Sequence, residues 1–187
     1  ACRVTGIDVD HGLVGLANAN AARNGMEQRV QFTKRSVESL EDHLHGESGP
    51  YDHVFFNPPF HPASGQRSQL ARTDRAKRDL YNAVAVWTSL ALRLARVGGS
   101  VTAILRADRE GDMLRAAGPV ATTVLPLVPH EGEAAKRVLI QLRKGIAAPP
   151  VRLPAFVLHR PDGMPTPEAD AVLRGRSALP LAETGVA

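Results

Sequence analysis

The sequence predicts an α/β fold whose doubly wound, mostly parallel sheet ends in an antiparallel hairpin. Short β-branched segments alternate with helical segments along most of the chain. Two later strand-like segments, VATTVLPLV and KRVLIQLRK, are joined by the short polar connector PHEGEAA, which suits a hairpin. Polar residues follow the first and third predicted strands, at the sheet edge where such folds bind ligands.

The elements follow in chain order. CRVTGIDVD is a predicted strand that ends in acids, and HGLVGLANANAARNG is a helix that Gly25 stops, with Leu13 and Leu16 at helical spacing. RVQFTKRSV and YDHVFF are the second and third strands. A long polar segment then leads to the next helix, LYNAVAVWTSLALRLARV, which we expect Gly98 and Gly99 to stop. SVTAILRAD is the fourth strand and REGDMLRAAG a short helix.

The length of 187 residues predicts one domain over residues 1–187. Residues 1–145 form its core, and residues 146–187 form a Pro/Gly-rich extension. That extension contains the short helix TPEADAVLRG, with Thr166 as N-cap and Pro167 at the first helical position.

Composition limits the class of protein. The chain is 43% hydrophobic and 22% charged, its apolar runs are too short to cross a bilayer, and its first residues do not resemble a signal peptide. Cys2 is the single cysteine, which excludes an intrachain disulfide framework and a thiolate zinc cluster. The seven histidines are dispersed, so we expect no metal site. We expect a cytoplasmic protein.

The stretch VFFNPPF contains the candidate catalytic residues. An apolar strand runs directly into Asn57, Pro58, Pro59 and Phe60. The side-chain carbonyl of Asn57 and the backbone carbonyl of Pro58, stiffened by the next proline, are suited to accept hydrogen bonds from a planar NH2 group. Phe60 offers a ring on which a flat substrate can stack. We therefore predict that these four residues form a catalytic corner that makes a conjugated amine more nucleophilic.

A basic segment follows the motif. It contains one acid, Asp74, and five basic residues: Arg67, Arg72, Arg75, Lys77 and Arg78. We assign these basic residues, except Arg75, to substrate binding, since such a cluster suits a polyanion such as RNA. A solvated helix face with charge pairs such as Asp74–Arg78 is the alternative.

In this order, NPPF after an apolar strand resembles the [D/N/S]-PP-[Y/F/W] motif of S-adenosylmethionine-dependent methyltransferases that act on planar amines. The chain resembles the bacterial tRNA(Val) adenine-N6 methyltransferases in four segments: GIDVD, RNG, YDHVFFNPPF and FVLHRPDGMPTPEADAVLRG. The resemblance implies a class I methyltransferase sheet and methyl transfer from S-adenosylmethionine to an adenine N6 in tRNA or another RNA. Methylation of a glutamine amide in a release factor or ribosomal protein stays open, as does a cofactor-free remnant that binds RNA or a partner.

The resemblance also implies cofactor residues. Asp8, at the end of the first strand, would bind the ribose hydroxyls, whereas Asp10 more naturally caps the following helix. Ser36 stands where members of the family often place an acid, and we assign its hydroxyl, the backbone N–H of Val37 and Asn57 to the cofactor site as well.

Relatives of this class begin with a strand and a Gly-rich turn that approach the methionine part of the cofactor. Nothing before Asp8 matches them, so the chain is expected to begin at the second strand of the family and to lack the first. We predict that this polypeptide binds S-adenosylmethionine weakly or not at all, and that a version extended upstream binds it. Isothermal titration of both polypeptides tests this, and equally tight binding by the two would refute it.

Overall fold

The computed structural model describes residues 2–37, 39–40, 51–58 and 83–182. The chain divides into two compact units, residues 1–46 and residues 47–187, which are described one at a time.

The first unit is a strand–helix–strand unit. Strand β1 (Val4–Asp8) and strand β2 (Val30–Lys34) pair in parallel, and helix α1 (His11–Arg23) connects them. The Asn18 side chain ties α1 to β2, because it donates to the carbonyl of Phe32 at 2.9 Å and accepts from the Phe32 N–H at 2.8 Å. Gly6 lies under the Phe32 ring, where an added Cβ would be 2.2 Å from Cδ1 of that ring. A side chain at this position would therefore displace the Phe32 ring.

The second unit is built on a six-stranded sheet. Its strands are β3 (Tyr51–Phe56), β4 (Ala95–Arg106), β5 (Ala121–Val128), β6 (Arg137–Arg143), β7 (Val151–Arg152) and β8 (Phe156–Val157). The order is β3-β4-β6-β5-β7, and β8 also pairs with β5. Strand β3 runs parallel to β4, whereas β6 is antiparallel to both β4 and β5. The predicted α/β fold with a parallel sheet and a closing antiparallel strand is confirmed. Among the described residues, β1 pairs only with β2 and β3 only with β4.

Helices cover one face of this sheet. Residues 83–94 form helix α2, and helix α3 (Glu110–Ala117) follows a 3-10 turn (Ala107–Arg109). The buried core between these helices and strands β4, β5 and β6 consists of apolar side chains: Val84, Ala91, Ala95, Val101, Ala103, Leu105, Met113, Val124, Val138, Ile140 and Leu142. On β3, Val54 and Phe56 pack against this core.

The C-terminal extension forms a second, smaller core. Leu125 and Leu127 of β5 pack there with Leu181 of the final 3-10 turn (Pro180–Ala182). Helix α4 (Pro167–Leu173) lies in this extension, and its Ala169 N–H donates to the Thr166 hydroxyl at 3.1 Å. Thr166 is thus the N-cap and Pro167 the first helical residue, as predicted.

The boundary between α2 and β4 differs from the prediction. The helix ends at residue 94, and Gly98 and Gly99 lie inside β4 instead of stopping the helix. The backbone here is hydrogen-bonded to Lys144, the residue after β6. The Gly98 N–H donates to the Lys144 carbonyl at 2.8 Å, and Lys144 Nζ donates to the Ala95 carbonyl at 2.9 Å. A Cβ on Gly99 would lie 2.9 Å from the Arg96 and Asp52 carbonyl oxygens. Glycine is therefore used here for close strand approach.

The faces of α1 also differ from the prediction. Val14 and Ala21 are its buried residues, whereas Leu13 and Leu16 are 53% and 55% exposed. Gly25, with φ of 62°, follows the C-cap Asn24, as the predicted stop requires. Within the described residues, no helix is long and apolar enough to cross a membrane.

Leu142→Ala tests the packing of the sheet core. Leu142 is fully buried on the central strand β6, so its truncation should lower the free energy of unfolding by about 2–5 kcal/mol. The matched control is Leu173→Ala, because Leu173 is 77% exposed and should change stability by less than about 0.5 kcal/mol. Urea denaturation followed by circular dichroism measures both, and equal losses would contradict this core.

Candidate active site

Two aspartates at the carboxyl end of β1 have different structural roles. Asp10 is the N-cap of α1, since its Oδ1 accepts from the N–H groups of Gly12 at 2.7 Å and Leu13 at 3.1 Å. Asp8 is exposed, and its Oδ1 accepts from the Asp10 N–H at 2.8 Å. The predicted division is confirmed for Asp10, which caps the helix. The Asp8 carboxylate stays oriented and accessible, and its second oxygen can accept from ligand hydroxyl groups.

A cavity of about 420 Å³ lies at the same end of the first unit. Its lining residues come from the segments that follow β1 and β2: Val9, Lys34, Arg35, Ser36 and Ser39. The volume is within the range of small-molecule sites, roughly 300–1,000 Å³. Ser36 lines it, and its assignment to the cofactor stays a prediction. Lys34 and Arg35 were not predicted to line a site. Their position at the end of the second predicted strand could have indicated it, because ligands bind at that edge of the sheet.

Ser36 has a defined hydrogen-bonding role. Its hydroxyl oxygen accepts from the Ser39 N–H at 3.1 Å, and the Ser39 hydroxyl donates to the Ser36 carbonyl at 2.8 Å. The Ser36 hydroxyl keeps its proton to donate to a ligand acceptor, which a carboxylate at this position could not do. Val37 is half-buried beside this turn. Together with Asp8, these groups suit a nucleoside that carries ring nitrogens and ribose hydroxyls.

The motif residue Asn57 lies directly beyond β3 in the second unit. Phe56, the last residue of the strand, turns into the core, where its ring centroid is 5.8 Å from that of Trp87. Asn57 is exposed and Pro58 is buried. The strand thus delivers an exposed amide next to a fixed proline. Asp8, Ser36 and Val37 belong to the first unit, and Asn57 and Pro58 to the second.

Several predicted site residues lie outside the described residues. They are Pro59 and Phe60 of the motif and the basic residues Arg67, Arg72, Lys77 and Arg78. Their assigned roles stay predictions.

A basic pair that sequence reasoning missed lies at the same edge of the second sheet as Asn57. Arg106 ends β4 and is the direct cross-strand partner of Arg137, which begins the antiparallel strand β6. Both are exposed, and Arg106 donates two hydrogen bonds to Asp108, at 3.0 and 3.1 Å. Arg106 lies in the predicted fourth strand and Arg137 near the start of the second predicted hairpin strand, so only the strand register brings them together.

Away from this edge, an ion pair shifts the pKa of one carboxyl group. The Arg96 guanidinium, with Nε 2.6 Å from the carboxylate, lowers the pKa of Asp52 below its ordinary value of 3.8. Asp52 and Arg96 lie near the start of β3 and β4, where they form an exposed ion pair that contributes little to stability.

Asp8→Ala and Asp10→Ala separate the two roles. Loss of the N-cap should make Asp10→Ala about 1 kcal/mol less stable, with affinity for S-adenosylhomocysteine within about threefold of the parent. Asp8→Ala should lower that affinity at least tenfold, because it removes the acceptor for the ribose. Calorimetric titration measures the affinity and urea denaturation the stability. Both are measured in whichever polypeptide binds the cofactor, this chain or the version extended upstream. Equal loss of affinity in both variants would contradict the assignment.

Comparisons with solved structures show the fold. A predicted O-methyltransferase, Atu636 from Agrobacterium tumefaciens, superposes with a TM-score of 0.72 at 20% identity, over 95% of this chain and 79% of that chain. A putative rRNA-methylase from Clostridium thermocellum gives 0.51 at 17% identity, over 76% and 75%. TrmN from Thermus thermophilus gives 0.50 at 20% identity, over 75% of this chain and 36% of that chain. Comparison with curated protein sequences finds no match.

A family model, described as UPF0020: RMKL-like, methyltransferase domain, matches residues 1–117. The match includes the end of β1, the cavity-lining segment after β2 and the motif after β3. It confirms the predicted enzyme class, that of S-adenosylmethionine-dependent methyltransferases, and with it the predicted cofactor. The chain therefore belongs to the UPF0020 family of RMKL-like methyltransferase domains.

Proposed function

We propose that, of the two polypeptides defined in the sequence analysis, the one that binds S-adenosylmethionine transfers its methyl group to the exocyclic N6 of an adenine in tRNA. The observation that carries the proposal is the exposed Asn57 at the carboxyl end of β3, followed by the buried Pro58. Such a corner presents an amide oxygen to solvent from a rigid strand end, where a substrate can reach it.

The proposed chemistry follows from the electronic state of the adenine amine. Its nitrogen lone pair is delocalised into the ring, which makes it a weak nucleophile. Asn57 Oδ1 and the Pro58 carbonyl would accept its two N–H groups and favour a more tetrahedral nitrogen. The cofactor supplies an electrophilic methyl group when bound. Methyl transfer would join the methyl carbon to this nitrogen as the carbon–sulfur bond breaks with its electron pair left on sulfur, and the proton of the resulting cationic amine would pass to water. A strong general base is not required for this last step.

Residues of the first unit would hold the cofactor. The Asp8 carboxylate would accept from the ribose hydroxyls, since one of its oxygens is already oriented by the Asp10 N–H. The Ser36 hydroxyl would donate to an adenine ring nitrogen of the cofactor, and the Val37 N–H would donate to another. Phe60 would stack on the target base, a contact worth about 1–3 kcal/mol.

Charge supports RNA as the substrate. Arg106 and Arg137 present two exposed guanidinium groups at the sheet edge that carries Asn57. The basic segment with Arg67, Arg72, Lys77 and Arg78 follows the motif directly, and the whole chain has a net charge of +4. Phosphate contacts of this kind supply much of the affinity for a nucleic acid. One protein of the same fold is described as a putative rRNA-methylase, which agrees with this substrate class.

Asn57→Ala tests the catalytic corner. In the polypeptide that binds the cofactor, loss of the acceptor should lower the rate of tritiated methyl transfer to total tRNA at least about a hundredfold, while the affinity for tRNA changes less than about threefold. Asp52→Asn, on the exposed start of β3, is the control and should keep the parental rate. A rate for Asn57→Ala within tenfold of the parent would contradict the proposal.

The same tritium assay, with a cell extract that contains both RNA and protein as the substrate pool, tests the identity of the substrate. Digestion of the substrate pool with ribonuclease before the reaction should abolish tritium incorporation, and nucleoside analysis of the labelled RNA should give N6-methyladenosine. Incorporation that survives ribonuclease and is lost on proteolysis would instead identify a protein substrate, such as a glutamine amide.

A further inference from the structure

Two histidines distant in sequence lie side by side at the end of β5. Strands β5 and β8 pair in parallel with Leu127 opposite Phe156 and Val128 opposite Val157. The backbone continues this register, because the His159 N–H donates to the Pro129 carbonyl at 2.9 Å. His130 and His159 therefore follow the two strands at equivalent positions, and their ring centroids are 5.9 Å apart with planes tilted by 50°.

Each ring has a buried nitrogen without a partner. Nδ1 of His130 and Nδ1 of His159 are both inaccessible to solvent, and neither has a hydrogen-bond partner among the described residues. A buried polar atom without a partner costs about 1–3 kcal/mol, so two such atoms on adjacent rings call for a common explanation.

The spacing of the rings is compatible with one shared cation. Imidazole nitrogen lies about 2.0–2.1 Å from a bound zinc ion, and the ring centre lies roughly 1.1 Å further away. Two imidazoles on one ion then have centres about 5 Å apart at the tetrahedral angle and about 6 Å apart when the angle opens to about 135°. The separation of 5.9 Å falls in this range.

We propose that His130 and His159 bind one divalent transition-metal ion through their Nδ1 atoms. Neutral imidazole favours zinc, nickel, cobalt and copper over magnesium or calcium. Within the described residues no third His, Cys, Asp or Glu joins the pair, so these residues supply two ligands. Structural zinc sites have four.

The position of the pair indicates what the ion would do. His130 is the second residue of the connector between β5 and β6, and its backbone carbonyl accepts from the Glu133 N–H at 3.1 Å. His159 lies in the C-terminal extension, where it bridges to Pro165 just before the N-cap of α4. A shared ion would join the hairpin connector to the extension. This inference does not depend on the methyl-transfer reaction.

The test is zinc binding by the whole chain, measured by calorimetric titration against a chelator of known affinity. The parent should bind one zinc ion per chain more than the His130→Ala/His159→Ala double variant, and each single variant should bind that ion at least tenfold more weakly. His53→Ala is the matched control, because it also removes one histidine from the second unit and should keep the parental affinity.

Nitrogen-15 NMR of the parent tests the same site without any substitution. Zinc should shift the Nδ1 resonances of His130 and His159 together, with saturation at one equivalent. Zinc should also raise the melting temperature of the parent and leave that of the double variant unchanged. Equal zinc binding by parent and double variant, or an Nδ1 signal that does not respond to zinc, would overturn the proposal.

Discussion

The arrangement of the second unit depends on how β3 pairs with β4. Parallel pairing, from His53–Ser100 to Phe56–Ala103, fixes the alternation of the strand, so that Val54 and Phe56 turn into the core. The contact between Phe56 and Trp87 of α2 then holds the last strand residue in place. A slip of one residue would exchange the two faces and bury Asn57 in the place of Phe56. The exposure of the amide is thus a consequence of core packing.

The same topology explains why charge collects at this edge. Strands β3 and β4 end there and β6 begins there, so Asn57, Arg106 and Arg137 share one side of the sheet. A parallel pair followed by an antiparallel strand brings the two arginines together, although long stretches of chain separate them from the motif. Asp108 partly neutralises the charge of Arg106 by pairing with it. Because this ion pair is exposed, Arg106 can exchange Asp108 for a phosphate.

Much of this was predictable because local chemistry decides it. The end of β3 at NPP, the cap role of Asp10 and the Thr166–Pro167 start of α4 all follow from short-range hydrogen bonding and backbone restriction. The start of β4 was not predictable in this way. Gly98 and Gly99 looked like a helix stop, but their use is set by Lys144 and by the carbonyl of Asp52, which are remote in sequence. The pairing of His130 with His159 was missed for the same reason, since only the register of β5 with β8 creates it.

The central claim is that Asn57 and Pro58 accept hydrogen bonds from a planar amine. A crystal structure with adenosine and S-adenosylhomocysteine tests this claim most directly. The account predicts the adenosine N6 about 2.7–3.2 Å from both Asn57 Oδ1 and the Pro58 carbonyl oxygen. A structure in which side chains of the protein itself fill that corner, with the nucleoside bound elsewhere, would contradict it.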